Sequence, residues 1–584
     1  MAASDGVARF RSAIEEEEDD EELLQTQSKP ETLEPPAIKM RDGLRLENTV
    51  VSDMSDFRGV TFNGPVELKN VRFTRGFSFA GARFLGPVRF HRVWNDKGTG
   101  SIADFAGAKF FSSVYFKDKS ALYRANFKNA EFVSMVTFKG QRFYSSACFD
   151  GAKFRSTANF SKVTFNGAAE FRKSEFFSEA DFEYATFRYQ LSHARFSEAI
   201  FKGPAAFNSV LFSGNADFEA VEFHKGATFE GSWFSLEQTE EQDDSEQSPS
   251  YGTADLFANF DGAVFLSAPG EAEVVSFKDA KFGDANLHRS ASFERTHFKP
   301  WYSEGKPRDV IANFGNMACN GPVSFSEAHF HECVAANFTH ARFQEQVDFE
   351  DCTFSGDAIF QRAQMRSDVY LAAARFKQYP DFRQANLTLA PNLSEAQLPE
   401  NEKLPGSRED TLSRIGALRK IAGQADEKRT EADFLVRELK LGGGVASRFY
   451  GLIANYGQSW LRPTLWLFLF AFVIFPPLYL TNSGTLPLSR DGLANFASHQ
   501  TLPCRNGAEG DAFSAALDLS VKNALIVASE NEARDARIDA CLGNSGPQGR
   551  QGMVATLLEA TQKILTLILV FFIGASIRGR LLIR

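Results

Sequence analysis

The chain is poor in the residues that build small covalent scaffolds. Its 584 residues include 6 Cys, 5 Trp and 9 His, and no two Cys form a CxxC pair. A disulfide-dense secreted scaffold is therefore excluded. The N-terminus is acidic from Glu15 onward and lacks the apolar run of a cleaved signal peptide. We therefore expect the bulk of the chain to stay in the cytoplasm.

The sequence also lacks recognisable catalytic motifs. It contains no Gly-rich phosphate loop, no HExxH zinc motif and no GxSxG nucleophile elbow. We predict no catalytic residues, no cofactor and no metal site, and we expect that the protein is not an enzyme.

Phenylalanine is abundant by contrast, with 60 residues in the chain. In one clean stretch the Phe positions advance in alternating steps of 5 and 6, which gives a period of 11. A small or β-branched residue lies two positions before most of them. We predict that the Phe residues of this stretch form a core: Phe127, Phe132, Phe138, Phe143, Phe149, Phe154, Phe160, Phe165, Phe171, Phe176, Phe182 and Phe187.

This period excludes a helix, because a 3.6-residue repeat would carry the Phe positions around the helix axis within a few steps. Inward residues at i and i−2 suit a short strand followed by a turn. Repeated units of this kind wind into a coil whose turns stack at the strand spacing of about 4.8 Å. We expect Phe and the small residues inside, and Lys, Arg, Glu, Ser, Asn and Asp on the surface.

The pattern resembles the pentapeptide-repeat family, whose motif is A-(D/N)-(L/F)-x-x. The motif appears as Ala125-Asn126-Phe127, Ala158-Asn159-Phe160, Ala180-Asp181-Phe182, Ala216-Asp217-Phe218, Ala258-Asn259-Phe260 and Ala385-Asn386-Leu387. The resemblance covers residues 44–398 and implies a right-handed, four-sided β-helix with loop insertions. Because alternate units have six residues, we expect coils of 22 residues, with the extra residue at a corner. About 14 coils would then stack at the strand spacing.

One short segment, HFHEC, is the nearest approach to a metal cluster. Because Phe330 faces inward, His329 and His331 should both point outward on one face. They could bind a metal, with Cys333 close by in sequence, but an exposed polar pair is the simpler interpretation.

Two acidic segments account for the net charge of −10. Residues 1–40 contain 11 acidic and 4 basic residues, and residues 235–250 contain 6 acidic residues and no basic one. We interpret residues 1–43 as a disordered tail and 235–250 as an excursion from a corner. The rest of the chain is close to neutral, which argues against the DNA mimicry of some pentapeptide-repeat proteins. We expect no nucleic-acid partner.

The C-terminal part changes character. Residues 399–445 show helical periodicity and are predicted to form a helical cap or linker for the β-helix. Residues 446–584 are predicted to be a membrane domain, with spans at about 461–480 and about 555–577 and an outer loop at 482–552. Arg448 and Arg462 precede the first span, and Arg578, Arg580 and Arg584 follow the second. The positive-inside rule then places both termini in the cytoplasm.

This region also resembles bacterial pentapeptide-repeat membrane proteins, through NYGQSWLRP before the first span and IRGRLLIR at the end. The resemblance implies a location in the bacterial inner membrane.

The outer loop contains the remaining candidates. Cys504 and Cys541 could form a disulfide outside the cytoplasm or stay as two thiols. Residues 511–529 have a helical pattern with Phe513, Leu517, Val521, Ala524 and Leu525 on one side. Asp518 and Lys522 are spaced as an i,i+4 pair.

This helix is either a pore helix or an amphipathic helix on the outer surface. In the first case Asp518, Lys522, Glu530 and Glu532 belong to a pore loop.

Two functions are compatible with this organisation. The first is a non-enzymatic scaffold that presents a cytoplasmic β-helix to a protein partner from the membrane. The second is an ion channel with a pore loop near 511–532. Because two spans cannot line a pore alone, the channel requires a homo-oligomer formed through the membrane domain.

Overall fold

The computed structural model describes residues 43–98, 101–117, 120–188, 194–234, 258–267, 273–282, 291–300, 302–303, 306–307, 309–399, 407–485, 502, 504, 510–525, 532–543 and 550–583. The predicted tail, apart from Gly43, lies outside these residues, as do the 235–250 excursion and Glu530. The chain divides into two compact units, Met1–Asn401 and Glu402–Arg584.

The first unit is a parallel β-solenoid. One complete coil consists of the strands Ala125–Asn126, Glu131–Phe132, Val136–Thr137 and Arg142–Phe143, which we call faces 1 to 4 in that order. Faces 1 and 2 each form a sheet of 13 parallel strands, from Ser55–Asp56 to Val369–Tyr370 and from Thr61–Phe62 to Arg375–Phe376. The four-sided parallel fold that the family resemblance implies is confirmed.

Faces 3 and 4 form a joint 24-stranded sheet. They are joined because the first three strands continue around a corner: Leu44–Val51, Val66–Phe73 and Val88–Asn95. Residues 22 apart lie opposite each other on adjacent coils, as in Leu44 with Val66 and Val136 with Ala158. The predicted coil length is therefore confirmed, whereas about 13 coils are present rather than the expected 14, because the insertions take up more of the chain.

The corners explain why steps of 5 and 6 alternate. In the five-residue step from Phe127 to Phe132, the amide of Ala130 donates to the carbonyl of Phe127 at 3.0 Å, which closes a tight turn. Asn129 has φ +54° in this turn. The six-residue step from Phe132 contains an open bend at 133–134 instead. The extra residue therefore lies at a corner, and the strands stay in register.

The motif residue before Phe supports these turns. Asn126 Oδ1 accepts from the amide of Lys128 at 3.1 Å, and Asn159 Oδ1 accepts from that of Ser161 at 3.0 Å. Asn159 also donates to Asp181 Oδ2 of the next coil at 3.0 Å. Asn or Asp is therefore favoured here because it satisfies a turn amide and can join coils.

The interior is a stack of Phe rings. Phe160 lies 4.9 Å from Phe138 and 4.8 Å from Phe182, in parallel stacks, and perpendicular to Phe149 and Phe171. All twelve predicted core Phe residues of the clean stretch are buried. Aromatic pairs favour both arrangements, so one residue type can fill every coil.

The second unit is helical. Within the described residues its α-helices are α1 (Arg408–Gln424), α2 (Lys428–Gly442), α3 (Val445–Ala454), α4 (Leu461–Ser483), α5 (Ala512–Ala524), α6 (Glu532–Leu542) and α7 (Arg550–Ile583). Ser407 caps α1 by accepting from the amide of Asp410. That α1 and α2 cap the solenoid stays a prediction.

Two of these helices are long and apolar enough to cross a membrane, at Leu461–Ser483 and Met553–Arg578. Within α4, residues Leu469–Ile474 form a π-helical turn. This turn ends two residues before Pro476 and Pro477, which lack the amide hydrogens that a regular helix needs.

Candidate functional site

The C-terminal unit contains a buried polar cluster where α5 packs between α4 and α7. Its members are Tyr479, Ser520, Asn523 and Gln562, all of them at most 3% exposed. Tyr479 donates to Gln562 Oε1 at 2.6 Å and accepts from Asn523 Nδ2 at 3.1 Å. Gln562 Nε2 donates to the carbonyl and the hydroxyl of Ser520, both at 2.8 Å.

The cluster extends to the backbone of α4. Ser520 Oγ donates to the carbonyl of Ala471 at 2.7 Å. Ala471 lies inside the π-helical turn, where the regular i to i−4 pairing is shifted. The α5 helix is thus joined by hydrogen bonds to the middle part of both long apolar helices.

The buried face of α5 does not coincide with the apolar side seen in the sequence. Leu525 is 57% exposed, whereas the buried positions are the small and polar ones: Ala512, Ala515, Ala516, Leu519, Ser520 and Asn523. Phe513, Leu517, Val521 and Ala524, which the sequence places on one side of the helix, are only partly buried. Small side chains let the helix approach its neighbours closely, and the polar ones find partners there.

A disulfide joins the chain before α5 to the end of α6. Cys504 is bonded to Cys541 at the end of α6, and both side chains are buried. Asp511 caps α5 by accepting from the amides of Phe513 and Ser514, and it also accepts from Leu502. We call α5, α6 and this disulfide the hairpin.

Two of the predicted pore-loop residues, Asp518 and Lys522, pair with α6 rather than with each other. Lys522 Nζ lies 2.7 Å from Asp535 Oδ1, and Asp518 pairs with Arg537, both across to α6. Glu532 is the first residue of α6 and is exposed. That these residues line a pore stays a prediction.

Exposed apolar side chains lie side by side at one corner of the solenoid. Leu85, Phe111 and Val133 follow the inward Phe of face 2 on three successive coils and are 37–45% exposed. Met135 lies next to them at 38% exposure. We call these four residues the apolar stripe.

The next three coils continue the same corner with Arg155, Phe177 and Lys202. There the two cations lie 4.3 Å and 4.0 Å from the centre of the Phe177 ring and cover it. The apolar stripe therefore ends at Arg155, where cations begin to alternate with the aromatic ring along this corner.

The histidines of HFHEC lie beside a third one that sequence reasoning missed. His329 is on face 2 and His331 follows at the corner, while His297 lies opposite His329 on the preceding coil. An insertion separates the two coils, so the usual 22-residue spacing gave no signal. The available signal was the repeat position, since His297 directly precedes Phe298 as His329 precedes Phe330.

Four cysteines of the solenoid are free thiols: Cys148, Cys319, Cys333 and Cys352. Burial raises the pKa of the Cys148 thiol and, further, that of Cys352. In the described part of the chain, no three His, Cys, Asp or Glu side chains converge closely enough to hold a metal ion together.

The comparisons identify the class of the repeat unit. The family model of pentapeptide repeats matches residues 46–94, 149–189, 190–233 and 314–364, in nine copies. The first unit is therefore a pentapeptide-repeat β-solenoid with Phe-rich repeats. Such solenoids are typically structural or protein-binding. No curated protein and no solved structure matches the chain.

Proposed function

We propose that the chain is a membrane-anchored, non-enzymatic scaffold whose solenoid binds another protein along the apolar stripe. The carrying observation is the stripe itself, four apolar side chains exposed on three consecutive coils of a rigid surface. Uncovered apolar patches on otherwise charged surfaces are typical of protein interaction sites. Arg83, whose guanidinium lies 5.0 Å from the Phe111 ring centre, makes an apolar segment with an acidic residue the favoured partner.

The anchor is α4 together with α7. Their lipid-facing side chains would be the exposed ones, such as Leu465 and Phe571 at 58% and 69% exposure. The disulfide supports placing the hairpin outside the cytoplasm, because disulfides persist in oxidising compartments. With the flanking Arg residues, this favours a bacterial inner-membrane protein whose two termini are cytoplasmic.

A site-specific crosslinking experiment tests the scaffold. Full-length protein carrying a photoreactive phenylalanine analogue at Phe111 is irradiated in membranes. The matched control carries the analogue at Tyr184, which is 54% exposed but outside the stripe. We expect one discrete crosslinked partner at Phe111, lost in Val133→Lys, and none at Tyr184. Equal crosslinking at both positions would overturn the assignment.

A second candidate function is an oligomeric channel, favoured by the hairpin. Ser520 of α5 forms hydrogen bonds with Ala471 and Gln562. If α4 and α7 span the bilayer, the hairpin would therefore lie at the depth of the bilayer interior. Glu532, Arg537 and Asp539 of α6 are exposed, and charged side chains at that depth face water or protein rather than lipid. Neighbouring copies would then enclose a water-filled path beside α6.

Planar-bilayer recording of purified full-length protein tests this candidate. A channel predicts a defined homo-oligomer and unitary currents whose cation selectivity falls in Glu532→Gln. Glu409→Gln is the control, because Glu409 is an exposed acid of α1 outside the hairpin. A silent monomer would exclude the channel and leave the scaffold.

A further inference from the structure

Three imidazole rings meet on the outer surface of the solenoid. His297 and His329 lie opposite each other on face 2 of adjacent coils, with ring centres 5.0 Å apart. His331 turns the corner beside them, and its ring centre lies 5.6 Å from that of His297. We call these residues the histidine cluster.

Two nitrogens of this cluster face each other. His297 Nδ1 lies 3.3 Å from His331 Nε2. Two nitrogens that bind one tetrahedral zinc ion at about 2.0–2.1 Å stand about 3.3–3.4 Å apart. The observed separation therefore equals the spacing of two ligands on one metal.

The third ring has a supporting position. His329 Nδ1 lies 2.8 Å from the carbonyl of its neighbour Glu327, so this nitrogen carries the proton and donates it. The hydrogen bond fixes the ring of His329, which packs at 31° against His297. His329 thereby restricts the orientation of His297 without converging on the same point.

Burial favours the neutral form of the two facing rings, which is the form that binds a metal. Burial and then the charges of His297 and Lys299 lower the pKa of His331 to about 4. Burial, followed by His329 and Lys299, also lowers the pKa of His297. The carboxylate of Glu332, which follows His331 in the chain, lies 2.7 Å from Lys377 Nζ in an ion pair.

We propose that His297 Nδ1 and His331 Nε2 form a two-imidazole site for a divalent transition-metal ion such as Zn²⁺, with water completing the coordination. Imidazole is a preferred ligand of Zn²⁺, Ni²⁺ and Cu²⁺. The bound ion would join two adjacent coils. The insertion between them contains the antiparallel strands Tyr302–Ser303 and Lys306–Pro307. The site is independent of the apolar stripe and of the membrane hairpin.

Calorimetric titration of full-length, detergent-solubilised protein with Zn²⁺ alone tests the site. His297→Asn and His331→Asn should each weaken the corresponding binding step at least tenfold. The matched control is His224→Asn. His224 follows the inward Phe of face 2, as His331 does, but it pairs with Glu222 at 2.7 Å. That control should leave the step unchanged.

Cu²⁺ electron paramagnetic resonance supplies a readout that a general loss of folding would not mimic. The wild-type spectrum should show two equatorial nitrogens at this site, and each variant should show one or none. Thermal melts without metal check that the variants fold. An unchanged Zn²⁺ isotherm in both variants would overturn the proposal and leave an imidazole–imidazole hydrogen bond only.

Discussion

The solenoid and the long apolar helices of the C-terminal unit expose different kinds of side chain. In the solenoid, Phe and Ala are inside and charged residues are outside; Phe160 is 0% exposed. In the C-terminal unit, Phe571 is 69% exposed while Gln562 is 1% exposed. The first arrangement is that of a water-soluble protein, and the second suits a surface that faces lipid. The units also differ in the sequence separation of their contacts. Each solenoid coil contacts only the adjacent coils, whereas the hairpin joins residues that are far apart in the sequence of its unit.

The largest expected effect comes from removing a core ring. Phe160→Ala should lower the free energy of unfolding by about 3–5 kcal/mol, because the stacked ring leaves a cavity. Hydrogen exchange should increase in the coils next to Phe160 and stay unchanged in the C-terminal unit. Phe571→Ala is the control, which should change stability by less than about 0.5 kcal/mol in detergent. Comparable losses in both variants would show that the proposed difference between the units is false.

Reduction should affect only the second unit. The disulfide closes a segment of 37 residues, and opening such a loop costs up to about 4 kcal/mol in the chain-entropy model. Cys504→Ser with Cys541→Ser, or dithiothreitol on the wild type, should increase hydrogen exchange in α5 and α6. The coil that contains Cys319 is the internal control, because this thiol is unpaired. Hydrogen exchange in that coil should be the same with and without dithiothreitol, in the wild type and in Cys319→Ala. Reductant-sensitive exchange in the solenoid would contradict this.

The polar cluster should be the sensitive point inside the apolar helices. Gln562→Leu removes the acceptor of the Tyr479 hydroxyl and the donor to Ser520, and should cost about 1–3 kcal/mol. Thr561→Leu is the matched control, one residue earlier and exposed. The measurement is the melting temperature in detergent, and an equal shift in both variants would mean that the cluster contributes no specific stability.

The repeat was predictable because its period is strict. A shift of one residue would turn Phe132 outward, so the alternation of steps determines both the core and the 22-residue coil. The buried face of α5 was not predictable in the same way. The inference that apolar residues are buried holds in water, but Leu525 is exposed and Ser520 buried, and only the positions of Ala471 and Gln562 explain why.

The histidine cluster marks a second limit. Its members are 32 and 34 residues apart rather than 22, because an insertion follows His297. Insertions alter the spacing of coils along the sequence without altering their stacking in space. Sites that join two coils across an insertion are therefore found by repeat position and not by spacing.

The smallest expected effect tests the corners of the solenoid against its strands with one substitution type. Ala220 has φ +53° at a tight turn and is exposed, whereas Ala216, four residues earlier, is a buried strand residue. A left-handed Ala costs about 1 kcal/mol relative to glycine, so Ala220→Gly should stabilise the solenoid by up to that amount. Ala216→Gly should destabilise it by about 0.5–1 kcal/mol, because glycine adds backbone freedom and removes a packed methyl group. Thermal unfolding followed by circular dichroism measures both variants. Opposite signs would support separate roles for corner and strand, whereas destabilisation by both would mean that the turn tolerates alanine without strain.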